Sequence, residues 1–461
     1  MDFRDQVGVL DEEGKMEKMY PKKVSGKLNT YRNFFAYFLL IILIVIPFIQ
    51  FNNRPFMLFN VLERKFILFA QPFHPQDFYL FALGMLTFIV FVVLFTVVFG
   101  RVFCGWACPQ TIFLEFVFRK IEYWIEGDAN QQKTLDKSSW TGEKLVKKGL
   151  KHTIFFILSF LIANIFLAYF IGIDSLQQLI IDTPFKHLGT FSSLLLFTGV
   201  FYFVFAKFRE LACIVVCPYG RLQGVLLDEK SVVVAYDTVR GEPRGKIKKG
   251  EERKLGDCID CKLCVHVCPT GIDIRNGTQL ECINCTACID ACDDVMMKIE
   301  KPKGLIRYDS LSGIKNKIPL KFTTRMAAYS TVLVILLSVL TFLLVSRQDV
   351  QVTVLRIPGS LSQELDSVTI GNLYNIEMIN KTFEEMNIEL SLASDDGKIK
   401  IIGQEDNVLK LKEGEVTKST FFIAMPKAKI NKVNQKMKIL VKSNNQLMDE
   451  IETSFLGTYK K

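Results

Sequence analysis

The stretch Cys258-Ile-Asp-Cys261-Lys-Leu-Cys264-Val-His-Val-Cys268-Pro269 is followed closely by Cys282-Ile-Asn-Cys285-Thr-Ala-Cys288-Ile-Asp-Ala-Cys292. Both runs are spaced C-x2-C-x2-C-x3-C. Together they hold eight of the twelve cysteines of this 461-residue chain. Thiols so close in sequence can turn several sulfurs toward one centre, and thiolates are soft ligands. Neither structural thiols nor a zinc site accounts for the doubled pattern.

The spacing is that of bacterial ferredoxins with two 4Fe–4S clusters, in which the fourth cysteine of each run ligates the other cluster. It therefore assigns Cys258, Cys261, Cys264 and Cys292 to a first cluster, and Cys282, Cys285, Cys288 and Cys268 to a second. Clusters that exchange ligands sit close together, which suits one-electron relay. The second run departs from the pattern: Pro269 follows Cys268, but Asp293 and Asp294 follow Cys292. Acidic residues there lower a cluster's potential.

Outward from this cassette the composition is that of a membrane protein, with 39 phenylalanines and a positive mean hydropathy. Five apolar runs reach membrane-spanning length, about 20 residues: 34–51, 78–99, 154–173, 188–206 and 327–345. The first follows 33 polar residues and is too long for the apolar core of a signal peptide, so it is expected to stay as an anchor. Lys and Arg alternate across the spans. The first 33 residues hold seven, the next loop three, residues 100–153 nine, the loop after span three only Lys186, and residues 207–326 twenty-one. The positive-inside rule then places the N-terminus and the ferredoxin segment in the cytoplasm, and the C-terminus outside. The net charge of +9 follows from this topology, so Lys246–Lys249 reads as a solvated face and no nucleic-acid partner is expected. All twelve cysteines fall at or beyond the cytoplasmic boundary, the reducing side.

The other four cysteines form a repeat. Span two ends in Arg101-Val-Phe-Cys104-Gly-Trp-Ala-Cys108-Pro109, and span four in Arg209-Glu-Leu-Ala-Cys213-Ile-Val-Val-Cys217-Pro218. The membrane half thus reads as a duplicated helix–helix–C-x3-C-P unit. Cysteines at i and i+4 share a helix face, and the proline marks a helix end or kink. Two units side by side would converge Cys104, Cys108, Cys213 and Cys217 into a redox or metal site. Such soft sets hold Cu(I), zinc or iron–sulfur centres, and packing is the alternative.

Other residues carry weaker signals. His266 is expected to face solvent or cap a cluster, and His74, His152 and His187 to be surface or interfacial residues. Met296 and Met297 read as packing against a cluster. Asn380-Lys-Thr382 matches a glycosylation pattern without support. Residues 55–73, with Phe56, Phe59, Phe66, Phe69 and Phe73, read either as an interfacial segment or as a short structured loop. Beyond about Gln348, short β-patterned runs (350–357, 368–378, 388–392, 398–402, 417–424 and 437–441) separated by turn residues predict an immunoglobulin-like β-sandwich. The expected organisation is an N-terminal cytoplasmic segment (1–33), a four-span membrane domain (34–206), a cytoplasmic segment (207–326) with the ferredoxin-type domain at about 250–300, a fifth transmembrane helix (327–346) and an extracytoplasmic β domain (347–461).

The cysteine runs with their Cys292-Asp-Asp-Val-Met296 ending, the paired C-x3-C-P helices and the terminal β-sandwich resemble the CcoG family, also called FixG or RdxA. These are accessory proteins of cbb-type cytochrome c oxidase in the bacterial inner membrane. The resemblance implies Cu(II) reduction to Cu(I) on the cytoplasmic side. The ferredoxin cysteines would relay electrons, and Cys104, Cys108, Cys213 and Cys217 are candidates for holding copper or another redox centre. The implied partners are membrane lipid, copper ions, oxidase-assembly or copper-transport proteins and an electron donor the sequence does not name. Two other readings stand beside this one: an electron conduit from quinol to a membrane or periplasmic partner, and a non-catalytic copper carrier or assembly scaffold.

Overall fold

A computed structural model describes residues 18–457, apart from 52–53, 62–64, 74–76, 183, 247–254, 278, 318–323, 348–349, 358–361, 383–384, 395, 405–407, 413–415, 431 and 444–445. His74 and most of the basic stretch Lys246–Lys249 lie outside the described residues. The chain divides into two compact units: the described parts of Met1–Leu58 with Ala82–Ser338, and Phe59–Phe81 with Val339–Lys461.

Among the described residues, five helices are long and apolar enough to cross a membrane: Lys27–Phe48, Phe78–Phe99, Gly142–Ile171, Leu188–Phe208 and Met326–Val345. The first and third start earlier than their apolar runs. The third begins at Gly142 because Thr141 caps it, accepting from the Lys144 amide, and because its charged first turns bury Lys144 and Lys151 against protein. The first has no side-chain cap at Gly26. Asp290, from the second cysteine run, caps it instead: its carboxylate accepts the Leu28 and Asn29 amides at 3.3 and 2.7 Å. A carboxylate there also complements the positive helix end.

The eight-cysteine segment is backed by an antiparallel pair of strands, Val233–Tyr236 and Ile306–Asp309. Val234, Tyr236, Leu305 and Ile306 are buried with Cys258, Cys264, Ile289 and Met296 in one core. That core sits in the same unit as the first, third and fourth spans and most of the second.

Met57–Asn60, Lys65–Leu68 and Gln71–Phe73 form a three-stranded meander. The C-terminal residues fold into two antiparallel sheets. One runs Lys398–Ile401, Val416–Pro426, Thr369–Asn380, Val350–Arg356, with Gln363–Glu364 also on Thr369–Asn380. The other runs Val408–Leu411, Met386–Leu392, Asn434–Ser443, Gln446–Leu456. Their inner faces meet in one core that includes Tyr374, Phe421, Ile439 and Phe455. Tyr374 stacks on Phe421 at 5.4 Å and donates to Ser454 O in the opposite sheet at 2.8 Å. Val408–Leu411 and Gln446–Leu456 were not expected as strands. The first is only four residues long, and the second is an edge strand carrying Asp449, Glu450 and Glu452, which masks its alternation. Asp77, 1% exposed, pairs with Arg347 and Lys381 at 2.7 and 2.6 Å. Asn380 is fully buried and its Oδ1 accepts the Thr382 amide at 2.9 Å, so it serves a turn and offers no glycosylation site.

Candidate iron–sulfur centres and membrane thiols

The two cysteine runs build their loops the same way. Asp260 and Asn284, each just before the second cysteine, have φ of 53°; Lys262 and Thr286, just after it, have φ of 56° and 66°. Asp and Asn tolerate this left-handed region, whereas a β-branched threonine there is strained. Two matched left-handed residues curl each loop, and helices Leu263–His266 and Ala287–Lys298 follow.

Two cavities result. One is lined by Cys258, Cys261, Cys264 and Cys292, with Tyr236 and Met296 in its wall. The other is lined by Cys268, Cys282, Cys285 and Cys288, with Cys264 on its edge. The fourth cysteine of each run thus reaches the other run's cavity. Cys261 is exposed, so the first cavity lies nearer solvent. His266 is exposed. Met296 is 1% exposed in the core and Met297 faces solvent.

The donor sets suit iron–sulfur clusters. Thr286 Oγ1 is buried at the second cavity without a hydrogen-bond partner among the described residues, as expected beside a group able to accept one. Burial pushes Cys268 up to about 11 and Cys264, Cys282 and Cys292 up to about 12, with neighbouring thiols adding to it. Cys285 and Cys288 rise as well, for the same first reason. Such a crowd of buried thiols ionises only against a cationic centre, so loading releases protons. Charges lie close to both sets: Arg32 opposes the rise at Cys285 and Arg101 at Cys282, while at the first cavity Arg275 opposes it at Cys264 and Asp293 adds to it at Cys292.

The C-x3-C-P segments lie next to this region. Both helices break at the second cysteine: Cys108 and Cys217 are extended, at ψ 125° and 111°, and Pro109 and Pro218 open new helices. The extended ψ turns the chain after each second cysteine out of the preceding helix, as expected of a residue before proline. In both units that cysteine's amide closes a bond five residues back, Cys108 to Phe103 O and Cys217 to Ala212 O, each 2.9 Å. Three π-helical stretches occur nearby, 113–118, 204–208 and 212–216, and such turns gather at functional sites.

The units cross-brace. Arg101 donates to Gly220 O and, at 2.7 Å, to Gln223 Oε1, which also accepts from Cys104 Sγ at 3.3 Å. Gln110, after the first Pro, donates to Arg209 O at 3.3 Å. Burial pushes Cys104 up to about 11 and Cys213 up to about 12; Cys108 and Cys217 raise the first further, and Cys104, Cys108 and Cys217 the second. The four thiols are therefore electrostatic neighbours. Among the described residues, no three His, Cys, Asp or Glu side chains close on one metal-ion position.

Gly105, between Cys104 and Cys108, joins the two regions. A Cβ on Gly105 would overlap Ile283 O and come within 3.1 Å of Asn284 C and Cys285 Cα. Cys104 itself packs against the core of Val267, Ile283, Cys285 and Ala287. Trp106 donates to Tyr308 OH at 3.3 Å, and Tyr308 donates to Asn284 O at 3.0 Å.

One feature escaped sequence reasoning. Arg119, 1% exposed, pairs with Glu115 at 2.5 Å and with Glu210. Arg209, at φ 47°, makes two bonds to Glu122 at 2.8 and 2.9 Å. Lys151 reaches Glu126 at 2.9 Å. The i, i+4 spacing of Glu115 with Arg119, and of Glu122 with Glu126, was a visible signal. His152 is half-buried, and its Nδ1 meets Tyr202 OH at 2.9 Å.

These observations define a class, a multi-pass membrane protein carrying iron–sulfur centres for electron transfer. Residues 208–311 match the family model described as 4Fe-4S dicluster domain, residues 81–127 a 4Fe-4S binding domain, and residues 340–458 the IG-like fold at the C-terminal of FixG. The chain is 35% identical to Protein RdxB of Cereibacter sphaeroides, with 89% of each chain covered. It is 35% identical to that organism's Protein RdxA, over 82% of this chain and 83% of the relative. It is 36% identical to Nitrogen fixation protein FixG of Rhizobium meliloti, over 65% and 58%. The chain belongs to the FixG/RdxA family. A crystal structure of a FixG-related protein from Vibrio parahaemolyticus matches 24% of this chain and all of its own, at 19% identity and TM-score 0.20, too slight a likeness to argue from.

Proposed function

We propose that this protein reduces Cu(II) to Cu(I) at the cytoplasmic face of a bacterial inner membrane, for assembly of cbb-type cytochrome c oxidase. Cys258, Cys261, Cys264 and Cys292 hold one 4Fe–4S cluster, and Cys282, Cys285, Cys288 and Cys268 the other. When bound, the clusters supply single electrons, and Cu(II) to Cu(I) consumes one. Cys104, Cys108, Cys213 and Cys217 receive the copper, since thiolates favour Cu(I). The observation that carries this reading is the packing of Gly105 on the Ile283–Cys285 backbone, which leaves no side chain between the C-x3-C-P segment and the second cysteine run.

The full-length protein, reduced anaerobically and freed of excess reductant, should convert Cu(II) to Cu(I), read with a coloured Cu(I) chelator. Replacing the four C-x3-C-P cysteines by serine should abolish most of that conversion while iron content holds. Conversion at the unaltered rate would sink the assignment.

A second reading has its own support: the 4Fe-4S binding model that matches residues 81–127 spans Cys104 and Cys108. The membrane thiols would then hold a further iron–sulfur centre. Iron analysis separates the two, since two clusters require about eight irons per chain and three about twelve.

A further inference from the structure

A cavity of about 520 Å³ opens where the polypeptide before the first span, the first turns of that span and residues 115–124 meet the cysteine runs. Its wall includes Lys22, Lys23, Arg32 and Lys120, and a single carboxylate, Glu115. Glu115 is already engaged by Arg119 at 2.5 Å. Among the described residues, Lys120 bonds only neutral acceptors, Asn33 Oδ1 and, at 2.7 Å, Tyr37 OH. Arg32 is 4% exposed and spends its Nε on Gly105 O at 2.7 Å. Its Nη2 has no hydrogen-bond partner among the described residues. No carboxylate among the described residues pairs with Arg32 or Lys120.

A buried donor left unpaired costs about 1–3 kcal/mol, more when charged. Native proteins keep such a group where something else supplies the acceptor. The planar guanidinium fork suits phosphate oxygens, with lysines as supporting point charges. The aromatic part of the wall, Phe116 under the Arg32 guanidinium at 4.8 Å and Trp124 at 78% exposed, offers an apolar surface beside the cations.

We propose that this cavity binds a phosphate-bearing anion, with the buried Arg32 guanidinium in its wall and Lys22, Lys23 and Lys120 around it. The chemistry is shared by two sources. One is the headgroup of an anionic phospholipid, which lysines beside a membrane span attract. The other is a soluble phosphate. Val267, Pro269 and Ala287 also line the cavity, so the anion would rest against residues adjoining Cys268 and Cys288.

The test uses the full-length, cluster-loaded protein in neutral detergent. It is titrated with short-chain phosphatidylglycerol, with short-chain phosphatidylcholine and with inorganic phosphate, and read by native mass spectrometry and tryptophan quenching. Phosphatidylglycerol should bind saturably and more tightly than phosphatidylcholine if the source is lipid. Inorganic phosphate should bind and compete if the source is soluble. Arg32→Gln and Lys120→Gln should each weaken binding about ten-fold, the size of one lost charge-assisted bond. Lys147→Gln, at an exposed lysine paired with Glu143, should leave it unchanged. Equal affinity for both lipids with no phosphate binding overturns the proposal, as does equal weakening by all three variants. Should Arg32→Gln lose its iron–sulfur absorbance, Lys120→Gln decides: unaltered binding there overturns the site.

Discussion

At the scale of single residues, the chemistry rests on small departures from ordinary preference. Gly105 is the clearest, because the missing side chain lets a cysteine-bearing helix touch the backbone of the second run. Gly105→Ala forces that contact apart, and overpacking of this kind typically costs about 1–3 kcal/mol. The expected outcome is a thermal midpoint lower by several degrees, together with slower copper reduction at unchanged iron content, measured on the same preparation. Gly105 reads as unremarkable in sequence, since the atoms it must avoid lie far along the chain. Its neighbours Cys104 and Cys108 were legible because their spacing is local and repeated at Cys213 and Cys217. Thr286 shows the same divide: its position between cysteines is visible, but its left-handed backbone and unpartnered Oγ1 emerge only in the fold.

At the scale of elements, prolines and ion pairs set where the thiols sit. Pro109 and Pro218 end one helix and start another, so each C-x3-C pair ends at a break. Arg209, four residues before Cys213, has an unfavourable φ and donates two hydrogen bonds to the Glu122 carboxylate. Burial alone would raise the Glu122 carboxyl, but Arg209, with Lys151 and Arg119 beside it, holds it at about 2 against an ordinary 4.5. A carboxyl depressed by folding stabilises the protein above its unfolded value. That stability drains as pH falls from about 4.5 toward 2. The thermal midpoint should therefore drop over that window in the unaltered protein, and Glu122→Gln should flatten the drop. At neutral pH the same substitution leaves Arg209 buried with one charge fewer, and breaking a buried pair costs about 3–5 kcal/mol. A Glu122→Gln protein as stable as its parent at pH 7 would contradict this account. The pairing was hidden because Glu122 and Arg209 lie 87 residues apart, and Arg119 and Glu210 91 apart.

At the scale of the whole molecule, the division into two compact units separates redox chemistry from the β-sandwich. Tyr374→Phe removes the hydroxyl that bonds Ser454 O across the sandwich, a loss of about 1 kcal/mol or somewhat more. It should lower the sandwich's unfolding midpoint and leave iron content and cluster EPR signals unchanged; loss of iron in that variant would show that the units are coupled. Much of the architecture was readable in the chain. Five spans followed from apolar runs of bilayer length. The ferredoxin cassette followed from cysteine spacing, and the sandwich from period-two alternation, because each of these signals lies within a few dozen consecutive residues. The tertiary structure alone decided how these parts meet. Asp290 caps a helix 261 residues earlier in the chain, Gly105 seats one cysteine motif against another, and buried carboxylates find their arginines from other helices. Such contacts depend on which backbones come within hydrogen-bonding distance after folding, and no local period or spacing encodes that distance.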